Sequence, residues 1–417
     1  MSKAIKAVCG SLVLCILSFS VGNISAEQFS IKEMWQGHID TNDVKEADTD
    51  ILQVNGGKDA MDASKDTDPS GTDAYRDLEI LQEYSFAYQQ LDGAEQRVYL
   101  QILDAIYAYQ GNTVIPDTNK DMLGKVFQCI LNDHPEIFYV EGYTFTENKV
   151  ANNVTDITFS AIYSMTKDEA KNVLQEIEDK ADACVSGIPD GAGDYEKVKY
   201  VYEYLIRNTE YNLAAKDNQN ICSVFLYGES VCQGYAKATQ YLLQKCGVVS
   251  TLVLGEIMGG SSHAWNLVKV DGEYYYVDTT WGDASYQIDN RDNIEDIPVV
   301  DINYDYLCVT TEQLSRTHSI NNVVGLPQCT CLDANYYVRE GVYFVDYNSD
   351  QIQQAFDKAI AEGRSSLTVK ASDFGTYTQL KNALIVRKQV FDFIDEEIAQ
   401  TITYLDNESE YSITFWF

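Results

Sequence analysis

Three residues of this sequence have the types and the order needed for acyl transfer: Cys232, His263 and Asp278. In such chemistry a thiolate attacks a carbonyl carbon, and an imidazole stabilises the thiolate and then protonates the departing amine. A carboxylate holds the imidazole in one tautomer. Cys232 lies among small and polar residues in Gly228-Glu-Ser-Val-Cys-Gln-Gly-Tyr-Ala236. An apolar-periodic run follows at once, with Tyr235, Thr239, Leu242 and Cys246 at helical spacing, as are Ala236 and Leu243. The spacing predicts that Cys232 sits on the first turn of a helix. There the unpaired backbone N–H groups and the macrodipole favour an anion. A structural cysteine would more naturally sit mid-helix among Leu and Ile.

The elements that must carry the other two residues are also legible. His263 falls at the start of Ser-His-Ala-Trp-Asn-Leu-Val-Lys-Val270, followed by Asp271-Gly272 and then Glu-Tyr-Tyr-Tyr-Val-Asp-Thr-Thr-Trp281. Asp-Gly between two strand-like runs signals a two-residue hairpin. That turn sets the register: Val270 faces Glu273, and Trp265 faces Asp278. His263 and Trp265 are two apart and share a face. His263 and Asp278 are then diagonal neighbours on one face, with backbones about 7–8 Å apart. The carboxylate can accept from one imidazole nitrogen and leave the other for the thiolate. A bulge in the hairpin would break this register. The backbone N–H of Cys232 suits one oxyanion donor, and no second donor is evident.

Val-Cys-Gln-Gly-Tyr-Ala (231–236), His-Ala-Trp-Asn (263–266) and Tyr-Val-Asp-Thr-Thr-Trp (276–281) together resemble the bacterial secreted branch of the transglutaminase-like superfamily. The resemblance is strong over about 195–320. Asp133-His-Pro-Glu-Ile-Phe-Tyr139 looks like the usual upstream part, and Tyr304-Asp-Tyr-Leu307 with His318 looks like the closing segment. It implies an α+β, papain-like fold, with Cys232, His263 and Asp278 matching the family's nucleophile, base and orienting acid. No cofactor and no metal site is expected from the residues singled out. The family holds amide cross-linkers, proteases and proteins that have lost activity, so the resemblance leaves the reaction open. His318 is expected to be structural, because it lacks the register that His263 has with Asp278.

Met1 to Ala26 reads as a signal peptide, with Lys3 and Lys6 before an apolar run too short for a membrane span. A secreted or cell-surface protein follows, with an uncleaved anchor as the alternative. No other stretch is long and apolar enough to span. Removing residues 1–26 takes away two lysines and no acids, so the net charge moves from −34 to −36. So acidic a chain argues against nucleic acid and anionic lipid as partners. A protein or peptide substrate, in a cell-wall setting, is the expected partner. Eight cysteines remain: 129, 184, 222, 232, 246, 308, 329 and 331. Cys329-Thr-Cys331 is too tight for an ordinary metal pair without a second cluster. Packed reduced thiols are expected at 129, 184 and 246, and Cys222 could pair with another thiol.

The expected organisation is a signal peptide at 1–26 and an acidic, disordered linker at 27–75. A helical and strand N-terminal part at 76–190 and the transglutaminase-like core at 191–325 follow, with a small C-terminal α+β module at 330–417. In the linker, Asp66, Asp68, Ser70 and Asp77 with Gly71 mimic part of a calcium loop, but Pro69 and the lack of a leading helix speak against it. Helices are expected at 76–110, 119–132, 167–184 and from Cys232, with a further helical stripe at Tyr195, Val198, Val201, Tyr202 and Leu205. Tyr336 to Val345 alternates like a strand, and Tyr377 to Phe391 reads as a helix. Gly259 and Gly260 suggest a flexible loop before His263, as a gate or as a tolerant surface loop. Trp265 and Trp281 either wall the site or pack the hairpin. Asp283 is expected to shape the turn after Trp281.

Two function classes stay open beside each other. One is a cysteine acyl-transfer enzyme acting on peptide amides, as hydrolase or cross-linker. The other is an inactive scaffold that keeps the fold and binds partners. A chance arrangement of core residues would need three coincidences of type, order and register.

Overall fold

The computed structural model describes residues 84–116, 119–150, 153–283, 302–395 and 402–417. The stretches expected to be a signal peptide and an acidic linker with a calcium-like loop, and the acidic stretch after Asp283, lie outside the described residues. The architecture is α+β. Among the described residues no helix is long and apolar enough to cross a membrane.

The N-terminal layer forms where the sequence supplies both stripes and caps. Helix α1 (Gly93–Ala108) begins at Asp92, whose side chain accepts from Ala94 and Glu95 N–H while Glu95 reaches back in a capping box. It buries Val98, Tyr99, Ile102, Leu103 and Ile106. Helix α2 (Lys120–Asp133) is capped by Asn119 and stops before Pro135. Strands β1 (Thr113–Ile115), β2 (Val140–Val150) and β3 (Asn153–Tyr163) form an antiparallel sheet in the order β1-β3-β2. Helices α3 (Lys167–Val185) and α4 (Asp194–Asn208) follow.

The central unit is helix α5 (Cys232–Lys245) laid against a sheet of β4 (Ser250–Ile257), β5 (Ser262–Val270), β6 (Glu273–Val277) and β7 (His318–Ile320). The sheet order is β6-β5-β4-β7, antiparallel throughout. Every residue of α5 from Cys232 to Leu243 is buried, which is why the helix tolerates so little charge. Its polar members find partners instead. Gln240 Nε2 donates to the carbonyls of Asn132 and Ser250, and Gln244 Nε2 to that of Asp133. These bonds tie α5 to the end of α2 and to the start of β4. Asn266 Nδ2 on β5 donates to the Ala236 carbonyl at 3.0 Å, tying the sheet to the helix.

A second apolar cluster gathers Phe344, Ile352, Phe356, Val369, Tyr377, Leu384 and Phe415. It lies under helices α6 (Ser349–Ala361) and α7 (Phe374–Lys381) and a sheet ordered β8-β9-β11-β10. The strands are β8 (Tyr343–Phe344), β9 (Ser366–Ala371), β10 (Thr403–Asn407) and β11 (Ser412–Trp416). Two expectations are corrected here. Tyr336–Glu340 is a helical turn, not a strand: the Asn335 side chain caps it by accepting from Tyr337 N–H, and Gly341 at φ 76° ends it. Only Tyr343–Phe344 is extended. The helix expected to reach Phe391 stops at Lys381, then loosens into a wider turn at Asn382–Val386 and tightens into a narrower one at Gln389–Asp392.

Candidate active site

Cys232 is the first residue of α5, after the extended Val231. Its amide is therefore among the four that a helix start leaves without an intrahelical acceptor. The approach is set by glycine. Gly228 turns the chain at φ 69°. Gly234 lets the first turn press onto Ser223 and Ser230, whose hydroxyls occupy the place a Cβ would take. Cys232 ends 6% exposed.

The Asp271-Gly272 turn holds positive φ at both residues, 51° and 91°, and the ladder pairs Val270 with Glu273 and Asn266 with Val277 without interruption. The hairpin thus has the register that the sequence predicts. Asp278 follows directly and becomes the cap of the short helical turn Thr279–Gly282. Its Oδ1 accepts from the N–H groups of Thr280 and Trp281 at 2.9 and 3.1 Å. Its Oδ2 lies 2.6 Å from His263 Nε2. The Cys232 thiol supports the charge of the same imidazole, and with Nε2 taken, Nδ1 is the nitrogen left for the sulfur. The three residues singled out in the sequence therefore meet, in the order thiol, imidazole, carboxylate.

All three are buried, and the electrostatics follow from that. Burial opposes the charge on His263, yet the Asp278 carboxylate and the Cys232 thiol raise its pKa to about 10. Burial also works against the Asp278 charge, but His263 and then His318 hold the carboxyl well below the usual carboxylate range. The site is thus built around an ionised carboxylate and an imidazole with a strong hold on its proton.

One expectation about this site is overturned. His318 does have a partner: its Nε2 lies 3.2 Å from the same Asp278 Oδ2. The reason is sheet closure. Strand β7 pairs antiparallel with β4, Ile320 opposite Gly255, and Gly255 is opposite His263. His318, two residues from Ile320, lies on the face that carries His263. The sequence carries the period-two signal within β7, but nothing local says which strand β7 will join. Thr317 and Tyr306 were missed for the same reason. Thr317 Oγ1 lies 2.8 Å from His318 Nδ1, and Tyr306 packs edge-on against the His318 ring.

Trp265 and Trp281 enclose both imidazoles, with ring centroids 5.9 and 6.1 Å from His263 and 5.0 and 4.7 Å from His318. Asp283 accepts from the Tyr235 hydroxyl at 3.0 Å, joining the turn after Trp281 to α5. The glycine-bearing loop is tighter than its sequence suggests. β4 runs to Ile257, Gly259 and Gly260 take positive φ in the turn, and Met258 N–H donates to the Thr317 carbonyl. The described cysteines are all unpaired thiols.

His263, Asp278 and His318 offer ligand atoms within 4.8 Å of one another, a spacing compatible with a metal ion. The 2.6 Å contact between His263 and Asp278 is shorter than the separation of about 3.3 Å between two ligands on one tetrahedral zinc. That contact is a hydrogen-bond distance.

Residues 181–279 match the model of the Transglutaminase-like superfamily, and Cys232, His263 and Asp278 all fall within this segment. The matched segment is thus transglutaminase-like. Kyphoscoliosis peptidase of Homo sapiens is 29% identical over 105 residues, 21% of this chain and 16% of that protein. Its counterpart in Mus musculus is 26% identical over 111 residues, 23% of this chain and 17% of that protein. The chain spans less than a fifth of the length of these curated relatives. Among solved structures, a TGase is similar with a TM-score of 0.25 at 15% identity, over 34% of this chain and 44% of that one.

Proposed function

We propose that this chain is a secreted or cell-surface cysteine acyltransferase that acts on peptide amide bonds through Cys232, His263 and Asp278. The observation that carries the reading is His263 held between two partners. One nitrogen lies on a carboxylate at 2.6 Å, and the charge of the ring is also supported by a thiol at a helix start.

The chemistry then runs in two halves. The Cys232 sulfur bonds to the amide carbon as a tetrahedral oxyanion forms beside the Cys232 N–H. The C–N bond breaks, the imidazolium gives its proton to the departing amine, and a thioester remains. Water or a second amine then attacks the thioester, losing its proton to His263, and the thiolate is restored. Asp278 keeps the ring aimed and stabilises its positive charge. Water gives hydrolysis, and an amine gives a new amide cross-link. The strongly acidic chain fits a basic or neutral peptide substrate better than an acidic one.

The deciding experiment incubates the protein with cell-surface peptides and a tagged primary amine. Tag incorporation identifies a transferase, and free carboxylate without tag identifies a hydrolase. Absence of both products, with Cys232 no more reactive than an ordinary thiol, overturns the enzyme reading in favour of a binding protein that keeps the fold.

A further inference from the structure

A chain of polar contacts runs from the last hairpin of the protein to Asp278. Glu410 lies in the turn between β10 and β11 and is 1% exposed. Its Oε1 accepts from the Tyr306 hydroxyl at 3.2 Å and lies 3.4 Å from Thr317 Oγ1, while Oε2 accepts from Lys370 Nζ at 3.1 Å. Thr317 Oγ1 is 2.8 Å from His318 Nδ1, and His318 Nε2 is 3.2 Å from Asp278 Oδ2. The Thr317, His318 and Asp278 side chains are themselves buried. The far end of the chain thus touches the acid of the site through two intervening residues.

Proton bookkeeping gives the chain a direction. An ionised Asp278 only accepts, so both imidazoles must present N–H from Nε2. Burial keeps His318 neutral by lowering its pKa, against the pull of Asp278. Its single ring proton is therefore on Nε2, and its Nδ1 is an acceptor. The Thr317 hydroxyl must then donate to Nδ1. The Tyr306 hydroxyl, 3.4 Å away, and Glu410 Oε1 stand on the other side of the Thr317 oxygen. Burial raises the Glu410 pKa against the pull of the Lys370 ammonium, and a carboxyl that keeps its proton would be the donor this arrangement calls for.

We propose that His318 is a second positioning histidine, locked as its Nε2–H tautomer by Thr317, and that Glu410 makes the C-terminal module the anchor of that lock. The inference rests on the catalytic reading of Cys232, His263 and Asp278. With His318 in place, Asp278 takes four hydrogen bonds, two backbone N–H groups on Oδ1 and two imidazoles on Oδ2. Its carboxylate plane cannot turn, and His263 stays aimed at Cys232.

Two measurements on the full chain test it. The sequence has four histidines, so ¹⁵N-histidine labelling with two-bond ¹H–¹⁵N correlation resolves each tautomer, and His318→Gln assigns the His318 signals. The expected result is a protonated Nε2 and a bare Nδ1 at neutral pH. The opposite tautomer overturns the proposal and needs no variant beyond the assignment. The second measurement is the rate of Cys232 alkylation by iodoacetamide. Thr317→Val is expected to slow it about tenfold, as for loss of a hydrogen bond within a charged network. Thr317→Ser should restore it. Glu410→Ala should slow it, and Glu410→Gln, which can both donate and accept, should recover most of the rate. Wild-type rates in folded Thr317→Val and Glu410→Ala overturn the relay while leaving the triad standing. If the wild-type Cys232 is itself no faster than Cys331, and His263→Ala changes nothing, the catalytic reading fails instead, and the tautomer measurement still decides the placement of His318.

Discussion

Trp265 occupies the space that Gly255 leaves by having no side chain. A Cβ on Gly255 would fall 2.5 Å from Trp265 Cη2 and also run into the Ser319 carbonyl on the neighbouring strand. The close approach lets β7 join the sheet edge with Trp265 lying over the join. That in turn brings His318 to Asp278.

Gly255→Ala is therefore expected to push β7 away from β4. Overpacking of this kind costs about 1–3 kcal/mol. Urea unfolding should show the lower midpoint, and the His318 imidazole resonances should shift with it. An unchanged midpoint would show that the sheet edge yields without strain.

Cys232 is expected to be alkylated by iodoacetamide ahead of the other thiols near neutral pH. Burial pushes Cys129, Cys184 and Cys222 up to about 12 and Cys329 up to about 11, and Cys308 higher still. Those thiols stay protonated and unreactive. Cys331, half-buried and away from any imidazole partner in the site, is the internal reference. His263→Ala should bring the Cys232 rate down to that of Cys331. Peptide mapping by mass spectrometry reads both sites in one sample.

Asp278→Asn should lower the rate of acyl transfer by about 10⁴-fold if orientation of the tautomer is its role. The amide nitrogen would face one or both imidazole N–H groups and force a ring to turn or change tautomer. Product formation in single-turnover assays measures the loss. A drop smaller than tenfold would remove Asp278 from the mechanism.

The pH dependence of stability follows from the raised His263. Its folded pKa of about 10 lies above the ordinary 6.5. The stabilisation it supplies is full below about 6.5 and is lost as pH rises toward 10. Asp278 acts in the other sense. Its folded pKa is depressed below the ordinary 3.8, so its contribution is full above that value and is lost as pH falls through the folded pKa. The difference in unfolding free energy between wild type and His263→Ala should be larger at pH 6 than near pH 10. Urea titrations at the two pH values check this, and a difference that grows with pH would contradict the ion pair.

Lys370 bridges the modules from the interior, with Nζ 2.8 Å from Asp305 Oδ1 and 3.1 Å from Glu410 Oε2, all three side chains buried. Lys370→Met leaves two carboxyl groups facing each other without a cation. The expected cost is about 3–5 kcal/mol, most of it the stranded charge. Replacing Asp305 and Glu410 by Asn and Gln in the same chain should recover a large part of that loss. Calorimetry of the single and triple variants separates the two contributions.

The sequence by itself determined what short-range geometry controls. Asp271-Gly272 set a two-residue turn, the turn set the register, and the register put His263 and Asp278 on one face. The apolar spacing after Cys232 put that residue at a helix start. Each inference spans few enough residues for local backbone rules to decide it. Tyr336 to Val345 shows where those rules mislead: its alternation looked extended, but an Asn cap and a left-handed Gly close a helical turn. Only the tertiary structure decided which strand β7 joins, because strand partners far apart in sequence are chosen by packing, here by the gap at Gly255. The roles of His318, Thr317 and Glu410 hang on that choice. Residues 317 and 410 lie far apart along the chain, and no spacing rule relates two residues whose nearness comes from the docking of one folded unit on another.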